Sequence, residues 1–181
     1  MPSGIPIPNT LPVIILSECQ VFPGSVLPLF IFEPRYRIML ADVLASNRMF
    51  CIGSRIPGAS DDSISPSDIA SVSTAALVRA SVENKDGTSN LILQGLSRVR
   101  FTGWFEPAPY PTASVVALET TNSDKEKSKN LADSLVSLLM ARCESPGQAA
   151  LQSAITPETH PGQVADIVAQ HFISDFSVKQ Q

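Results

Sequence analysis

The sequence has few cysteines and no long apolar run. Its three cysteines, Cys19, Cys51 and Cys143, are odd in number and far apart, without the paired spacing of a disulfide framework or a zinc site. The longest apolar runs reach about seven residues, whereas a helix that spans a bilayer needs roughly 20. Residues 1–16 contain four prolines and no Lys or Arg, unlike a signal peptide. We therefore predict reduced thiols, no membrane contact and a cytoplasmic location.

Positive charge is also scarce. The chain carries 13 Lys and Arg residues against 17 Asp and Glu residues, and its formal net charge is -4. A nucleic-acid interface needs a concentrated positive face, but the basic residues are scattered along this chain. Five lysines are too few for a patch that binds anionic membranes. We expect no nucleic-acid partner.

The chain lacks the residue patterns of common catalytic and cofactor sites. A P-loop needs Gly-x-x-x-x-Gly-Lys-Ser/Thr to cradle phosphates, and no such string occurs. The only two histidines, His160 and His171, do not form a metal-ligand pattern with the scattered cysteines. A Ser-His-Asp triad could use His171 with Asp166 or Asp175, but helical spacing favours a partly buried place for His171 in a helical bundle. We predict no enzyme activity, cofactor or metal site.

What the sequence does contain is 44% hydrophobic residues, enough for one globular domain or two small lobes. Within residues 21–44, Pro23-Gly24 is typical of a turn. The apolar run 26–32 favours a strand covered on both faces, and Pro28 places that strand at a sheet edge or a bulge. Glu33-Pro34 then opens a helix to about residue 45. Its predicted apolar face comprises Tyr36, Met39, Leu40, Val43 and Leu44.

Other segments predict a β-rich lobe whose strands pair mainly in sequence. Asp86-Gly87 is typical of a hairpin turn, and Gly95 indicates a bulge. Segment 56–67 is rich in Ser, Asp and Pro, which favours an exposed mobile loop: a substrate-contacting flap or, more simply, a tolerated insertion. The five further predicted strands cover residues 11–16, 49–54, 69–82, 91–104 and 113–118.

Two arginines share one face of the predicted strand 91–104. Arg98 and Arg100 alternate with Val99 and Phe101, so they lie on the face opposite those apolar side chains. Two interpretations are open: a solvated strand face, or a contact with an anion or carboxylate.

A polar segment at 120–130 separates this lobe from a predicted helical bundle. Ser123-Asp124-Lys125-Glu126 fits a capping box. A second helix follows Ser145-Pro146, and a third follows His160-Pro161. Apolar residues at helical spacing in the first and third helices are Leu131, Leu135, Leu138, Leu139, Val164, Ile167, Val168 and Phe172, with His171 among them.

Three strings resemble the N-terminal domain family of Lon proteases. Phe22-Pro23-Gly24 with Leu27-Pro28-Leu29 and Phe32-Glu33-Pro34-Arg35-Tyr36 is similar to the family's opening signature. Gly95-Leu96 with Arg98-Val99-Arg100 follows the hairpin, as in the family. Pro161-Gly162 with Ala165-Asp166 resembles its helical part. Three departures are Ser73, where the family commonly has glycine, His160, a poorer helix cap than the family's Asp, and Val13-Ile14-Ile15-Leu16, which replaces the family's second Pro-Leu element.

The resemblance implies an α+β fold, with a PUA-like pseudo-barrel of about six strands and one helix before a small helical bundle. It also implies a non-catalytic domain that binds unfolded or degron-bearing polypeptides, in partnership with an AAA+ protease and in protein quality control. The expected divisions are a flexible lead-in at 1–10, the β-rich lobe at 11–119, a linker at 120–130 and the helical lobe at 131–181. Candidate peptide contacts are Phe30, Phe32, Arg35, Tyr36, Arg98 and Arg100.

Two alternatives to substrate recognition stay open at this point. The same fold could act as an adaptor that docks one folded partner, and a small hydrolase could use His171. The sequence leaves the oligomeric state open between a monomer and a weak dimer.

Overall fold

The computed structural model describes residues 5–17, 19–106, 109–119, 124–142, 155, 159–173 and 175–179. Its elements are β1 Thr10–Leu16, β2 Val26–Ile31, α1 Pro34–Leu44, β3 Met49–Ser54, β4 Val72–Glu83, β5 Ser89–Trp104, β6 Thr112–Ala117, α2 Lys125–Arg142, α3 Pro161–Phe172 and α4 Phe176–Lys179. The six predicted strands and the first helix are confirmed, with small differences at their ends. The α+β fold class is confirmed as well.

The sheet closes on itself because β5 is long enough to serve two neighbours on one side. Its first half pairs with β2, where Leu91 lies opposite Leu29, and its second half pairs with β6, where Phe101 lies opposite Val115. Strand β4 pairs along the other side of β5. Strands β3, β1 and β6 then complete a ring of five strands back to β5.

The expectation of sequential pairing holds for β3 to β6 but is wrong for β1 and β2. Strands β1 and β3 form a parallel pair, with Val13 opposite Cys51. A parallel pair needs a crossover connection. Here β2 and α1 lie within that connection, so β2 is displaced from β1 to the outer edge of β5.

Strand β2 is an edge strand, with β5 its only partner among the described strands. This confirms the prediction from Pro28, since an edge strand does not need every backbone N–H for its ladder. The prediction of two covered faces is wrong. Val26 and Phe30 are 55% and 51% exposed, whereas Ile31 is buried. The exposure alternates because one face of the strand points away from the core.

Two apolar layers lie on opposite faces of β1 and β3. The first contains Ile14 and Phe50 and is covered by the predicted apolar face of α1. The second contains Val13 and Cys51. Because alternate residues of a strand point to opposite faces, both faces of these strands are buried. Burial of a side chain such as Phe50 contributes roughly 1.5–3 kcal/mol.

The exposed segment 56–67 is anchored to the lobe by a neighbouring arginine. Arg55 Nε donates a hydrogen bond to the Ser63 carbonyl at 3.1 Å, and its Nη1 donates to Ser17 Oγ at 3.2 Å. Ser17 Oγ in turn donates to Asp61 Oδ1 at 2.6 Å. The loop is exposed along most of its length, as predicted. A substrate contact there stays a prediction.

Helix α2 begins within the segment expected to be a linker. Asp124 Oδ1 accepts a hydrogen bond from the Lys127 backbone N–H at 2.9 Å and caps the helix. Residues 125–130 are therefore helical, while Ser123 of the predicted capping box lies outside the described residues. The division into two lobes stays a prediction.

The predicted apolar face of α2 is wrong in part. Leu131 and Leu138 are 57% and 60% exposed, whereas Ala132 is buried. Helical spacing identifies a stripe of side chains, but it does not say whether another element covers that stripe. The predicted helix after Ser145-Pro146 lies outside the described residues.

Helix α3 packs against α2 and has a better N-terminus than the sequence predicts. His160 Nδ1 accepts a hydrogen bond from the Gly162 N–H at 3.2 Å, and Gln163 Oε1 accepts from the His160 N–H at 3.3 Å. This reciprocal capping box corrects the expectation of a poor cap. The prediction of a partly buried His171 is also wrong, because this residue is exposed on α3.

Candidate functional site

The turn before β2 docks directly on strand β5. The Ser25 N–H donates to the Phe22 carbonyl at 3.0 Å, and Gly24 has φ +81°. This is a type II turn with Pro23 and Gly24 at its centre, as the sequence predicts. The Gly24 N–H donates to the Gly95 carbonyl at 2.8 Å, and the Gly95 N–H donates to the Ser25 carbonyl at 2.9 Å.

Gly95 allows this contact because it has no side chain. A Cβ at this position would lie 2.2 Å from the Phe22 carbonyl oxygen. The predicted bulge is confirmed at the same place: Ala75 pairs with Ser97 and Ala76 with Gly95, which leaves Leu96 as the extra residue. The first two sequence strings therefore meet in space.

Ser73, where the related family commonly has glycine, is accommodated on β4. Its Oγ donates a hydrogen bond to the Ile52 carbonyl at 2.7 Å, and its side chain is buried. The hydroxyl therefore has a partner in the interior, which is what burial of a polar group requires.

The third sequence string, on α3, joins the same place through Asp166. The Arg98 guanidinium makes two hydrogen bonds to the Asp166 carboxylate, one of them from Nη1 at 3.3 Å. The guanidinium carbon also lies 5.5 Å from the centre of the Phe22 ring. On the next turn of α3, Gln170 Oε1 accepts a hydrogen bond from the Phe22 N–H at 3.1 Å. We name these contacts between Phe22, Arg98, Asp166 and Gln170 the latch.

The latch resolves the two interpretations of the paired arginines. Arg98 contacts a carboxylate, and that carboxylate is the chain's own Asp166. Arg100 is exposed, in agreement with a solvated strand face. The Asp166 side chain is 8% exposed and that of Arg98 is 38% exposed. The pair is therefore buried on the helix side and open on the strand side.

A cleft of about 350 Å³ lies beside the latch, between the β-rich lobe and helices α3 and α4. Its apolar lining includes Val21, Val72 and Ala169, and its polar lining includes Gln20 and Lys179. Both polar atoms of the Gln20 side chain are buried, and neither has a hydrogen-bond partner within the described part of the chain. Buried amides are normally paired, so this one is an exception.

A second surface is the outer face of β2 and the strands beside it. The Phe30 and Phe32 rings stack with their centres 6.0 Å apart. Ile92 on β5 lies opposite Pro28 on β2. Asn90 on β5 lies between Phe30 on β2 and Val82 on β4, and it pairs with both. All are exposed: Val26 55%, Phe30 51%, Phe32 61%, Val82 64% and Ile92 40%. We name these five apolar residues the edge patch.

Charged residues border the edge patch at the start of α1. Arg35 pairs with Glu33, with 2.7 Å between Arg35 Nη2 and Glu33 Oε2. Its guanidinium carbon also lies 4.7 Å from the centre of the Tyr36 ring. The Tyr36 hydroxyl accepts a hydrogen bond from the Ile15 N–H at 3.0 Å. Burial is the main influence on the pKa of the Tyr36 hydroxyl, and it raises that pKa above its ordinary value.

The predicted contact residues therefore fall into four places. Phe30, Phe32 and Arg35 lie together at the edge of the sheet. Tyr36 is 3% exposed, so it belongs to the core, and we withdraw it from the contact set. Arg98 belongs to the latch, and Arg100 is exposed elsewhere on β5.

Sequence patterns give no signal for Gln20 or Lys179, because neither lies in a motif.

The described residues contain no group of three or more His, Cys, Asp or Glu side chains placed to hold a metal ion. Asp166, a possible triad member, is engaged by Arg98. Burial raises the pKa of Cys51 to about 12, which keeps its thiol protonated. No helix within the described ranges is long and apolar enough to cross a membrane.

The fold and these surfaces define an α+β domain that presents an open strand edge and a cleft between the strands and helices α3 and α4. Residues 10–181 match the family described as the ATP-dependent protease La (LON) substrate-binding domain. The chain belongs to this family. The resemblance predicted from the three sequence strings is therefore confirmed.

Individual relatives agree with this assignment. The chain is 26% identical over 178 residues to the Lon protease of Desulfosudis oleivorans, and the alignment covers 96% of the chain and 22% of that protein. It is 27% identical over 178 residues to the Lon protease of Azospirillum brasilense, covering 94% of the chain and 21% of that protein. The chain thus spans about a fifth of the length of these relatives.

Two solved structures share the fold. The N-terminal domain of the Mycobacterium avium complex Lon protease superposes with a TM-score of 0.74 at 18% identity, over 95% of this chain and 88% of that one. A Lon N-terminal domain protein from Xanthomonas campestris gives 0.64 at 19% identity, over 95% of this chain and 90% of that one.

Proposed function

We propose that this chain is a non-catalytic recognition domain that binds unfolded or degron-bearing polypeptides for an ATP-dependent protease. The observation that carries the proposal is the edge patch on an edge strand, in a chain whose family is described as substrate-binding. The partner would be an AAA+ protease, and the role would be protein quality control in the cytoplasm. The closed ring of strands supports the PUA-like assignment of the lobe.

The strand edge gives unfolded chains a way to bind without a fixed sequence. Strand β2 pairs with β5 on one side, and no described strand occupies its other side. An extended polypeptide can add to such an edge through main-chain hydrogen bonds, which every sequence offers. Pro28 lacks one donor, so the added strand would be short or interrupted at that position.

The edge patch supplies the apolar contacts that distinguish unfolded from native chains. Apolar side chains are mostly buried in native proteins and exposed in unfolded ones. Contiguous exposed apolar residues on a folded protein commonly mark an interaction surface. The stacked Phe30 and Phe32 rings are more than half exposed, so they can lose water on contact with a partner. Arg35 lies at the border of this surface, where its charge is already paired with Glu33.

The test is a titration of the purified chain with one test protein in two states, native and permanently unfolded by reduction and carboxymethylation, at moderate salt. We expect preferential binding of the unfolded state. The variant Phe30→Ser/Phe32→Ser should bind it roughly tenfold or more weakly, as expected for loss of two aromatic anchors. Phe105→Ser is the matched control, since Phe105 is 52% exposed and lies outside the edge patch.

The proposal fails if the wild type does not prefer the unfolded state, or if the double variant and the Phe105 control bind alike. Stoichiometric binding of one folded partner, without preference for unfolded chains, would favour the adaptor role.

A further inference from the structure

The Gln20 amide is the feature of the cleft that the fold leaves unexplained. Other buried polar side chains of this region have partners: Ser54 Oγ donates to the Cys19 carbonyl at 2.6 Å, and Ser73 Oγ donates to the Ile52 carbonyl. Gln20 Nε2 and Oε1 are buried with no partner within the described ranges. An unmet buried donor and acceptor cost stability, and a ligand that supplies both would recover that cost.

The chemistry of the lining limits what such a ligand can be. A side-chain amide offers one donor group and one acceptor side by side, which is matched by another amide. The peptide backbone repeats that group at every residue. The apolar lining of Val21, Val72 and Ala169 suits small aliphatic side chains on either side of it.

The charges at the cleft favour an acidic partner. Arg98 and Lys179 line it with positive charge, while Asp166 contributes one negative charge and already pairs with Arg98. Lys179 therefore leaves the cleft lining with a net positive charge. Burial raises the pKa of Cys19, and the nearby Lys179 charge offsets part of that increase.

We propose that this cleft binds a short extended stretch of polypeptide, with an acidic residue near Lys179 and one main-chain amide paired to the Gln20 side chain, which rotates from its buried position into the cleft on binding. The proposal rests on the proposed function, since the bound stretch would be part of a substrate polypeptide. It adds a second contact, separate from the edge patch, that reads the backbone rather than apolar side chains. The cleft has a volume of about 350 Å³, which is at the small end of the range for ligand pockets and accommodates only a few peptide residues.

The probe is a seven-residue peptide of alanine, leucine and glutamate, blocked at both ends, titrated into the full chain. The readout is the NMR signal of the Gln20 side-chain NH₂, assigned by its loss in Gln20→Leu. We expect this signal to shift on titration and Gln20→Leu to bind roughly three- to tenfold more weakly, the value of one hydrogen bond. Gln94→Leu, on β5 and outside the cleft lining, is the matched control.

A second series replaces each main-chain N–H of the peptide in turn by an ester oxygen. At one position the ester should weaken binding to the wild type by about the same factor but leave binding to Gln20→Leu unchanged, as in a double-mutant cycle. A peptide of alanine, leucine and lysine should bind more weakly than the acidic one. Because Gln20→Leu removes an unmet polar group, its melting temperature should equal or exceed that of the wild type.

Equal binding by wild type and Gln20→Leu would overturn the proposal, as would a Gln20 signal that contacts ordered water only and does not move with peptide. These results are separable from the proposed function. If Gln20→Leu binds the peptide as the wild type does but the chain still prefers unfolded protein, only the cleft proposal is wrong. Failure of unfolded protein to bind sinks the proposed function.

Discussion

Phe22 and Gly95 are in backbone contact, and no side chain at position 95 fits between them. A Cβ on residue 95 would lie 2.2 Å from the Phe22 carbonyl oxygen. The contact joins the turn before β2 to the bulge of β5. The same Phe22 carries the ring beneath Arg98 and the N–H bound by Gln170. One residue therefore links the turn, the ring of strands and helix α3.

Gly95→Ala should destabilise the protein strongly. The added methyl group meets main-chain atoms, which cannot move aside as a flexible side chain would, so we expect a loss of about 1–3 kcal/mol in the free energy of unfolding. Urea denaturation measures it. Gly103→Ala on the same strand is the control, because a Cβ there comes no closer than 3.8 Å to Ser114. Equal stability of the two variants would contradict the close contact.

Asp166→Asn should loosen the latch. The substitution removes the charge that pairs with Arg98 in a site where the carboxylate is 8% exposed. Loss of charge-assisted hydrogen bonds costs about 1–3 kcal/mol in the free energy of unfolding. We expect a value at the lower end, because the Arg98 side chain is 38% exposed and water screens the pair. Amide hydrogen exchange should become faster in α3, with little change in β3.

Glu33→Gln provides the comparison for the latch. It breaks an ion pair whose side chains are 33% and 32% exposed, and exposed pairs contribute about 0–1 kcal/mol. If this variant loses as much stability as Asp166→Asn, the distinction between a surface pair and a half-buried latch does not hold.

Pro28→Val should promote self-association through the edge strand. The substitution restores a backbone N–H and adds a β-branched apolar side chain on an exposed edge, which is a template for pairing with another chain. Sedimentation velocity at several concentrations should detect larger species. Pro28→Lys restores the same N–H but adds charge, so it should stay closer to the wild type. Identical behaviour of the two variants would argue against edge pairing.

Cys51 should resist alkylation in the folded protein. Burial raises the pKa of its thiol from 9.0 to about 12, so little thiolate exists at pH 8. Iodoacetamide followed by mass spectrometry of peptides should show Cys51 unmodified in buffer and modified in urea. Cys19 is only partly buried and should be alkylated faster. Similar rates for both cysteines would contradict the burial of Cys51.

The same pKa shift predicts how stability changes at high pH. Between about pH 9 and 12 the unfolded chain releases the Cys51 proton while the folded chain keeps it, so the folded state is destabilised as pH rises through this window. Below pH 9 both states keep the proton and Cys51 contributes no slope. The difference between wild type and Cys51→Ala, followed by urea denaturation against pH, should show this slope; a flat difference would count against it.

Local chain chemistry predicts some of these features well and others not at all. The Pro23-Gly24 turn and the Asp86-Gly87 hairpin depend on the positive φ values of Gly24 and Gly87, which local sequence predicts. The Gly95 bulge depends instead on the close approach of the Phe22 main chain, and a glycine inside a strand pattern is the signal for it. The parallel pairing of β1 with β3 depends on which distant strands meet, and no local pattern encodes that choice. The exposure of Val26 likewise depends on what covers a strand.

The residues of the candidate site also fall into those that the sequence predicts and those that it does not. Phe30, Phe32 and Arg35 are found at the sheet edge because they lie within one contiguous string. The partner of Arg98 is 68 residues away along the chain, so only its need for a carboxylate could be predicted. The unmet amide of Gln20 is a property of three-dimensional packing, and a lone glutamine in a sequence carries no sign of it.

The closed ring has a consequence for synthesis on the ribosome. Thr10, at the start of the first strand, pairs with Ser114 on the last, so the ring cannot close until nearly the whole lobe has left the exit tunnel. Non-local pairings of this kind form slowly, since the intervening chain must first be ordered. A nascent chain stalled before β6 would expose the unpaired sides of β1 and β5. A domain proposed to recognise incompletely folded proteins would thus itself depend on early protection of those strands.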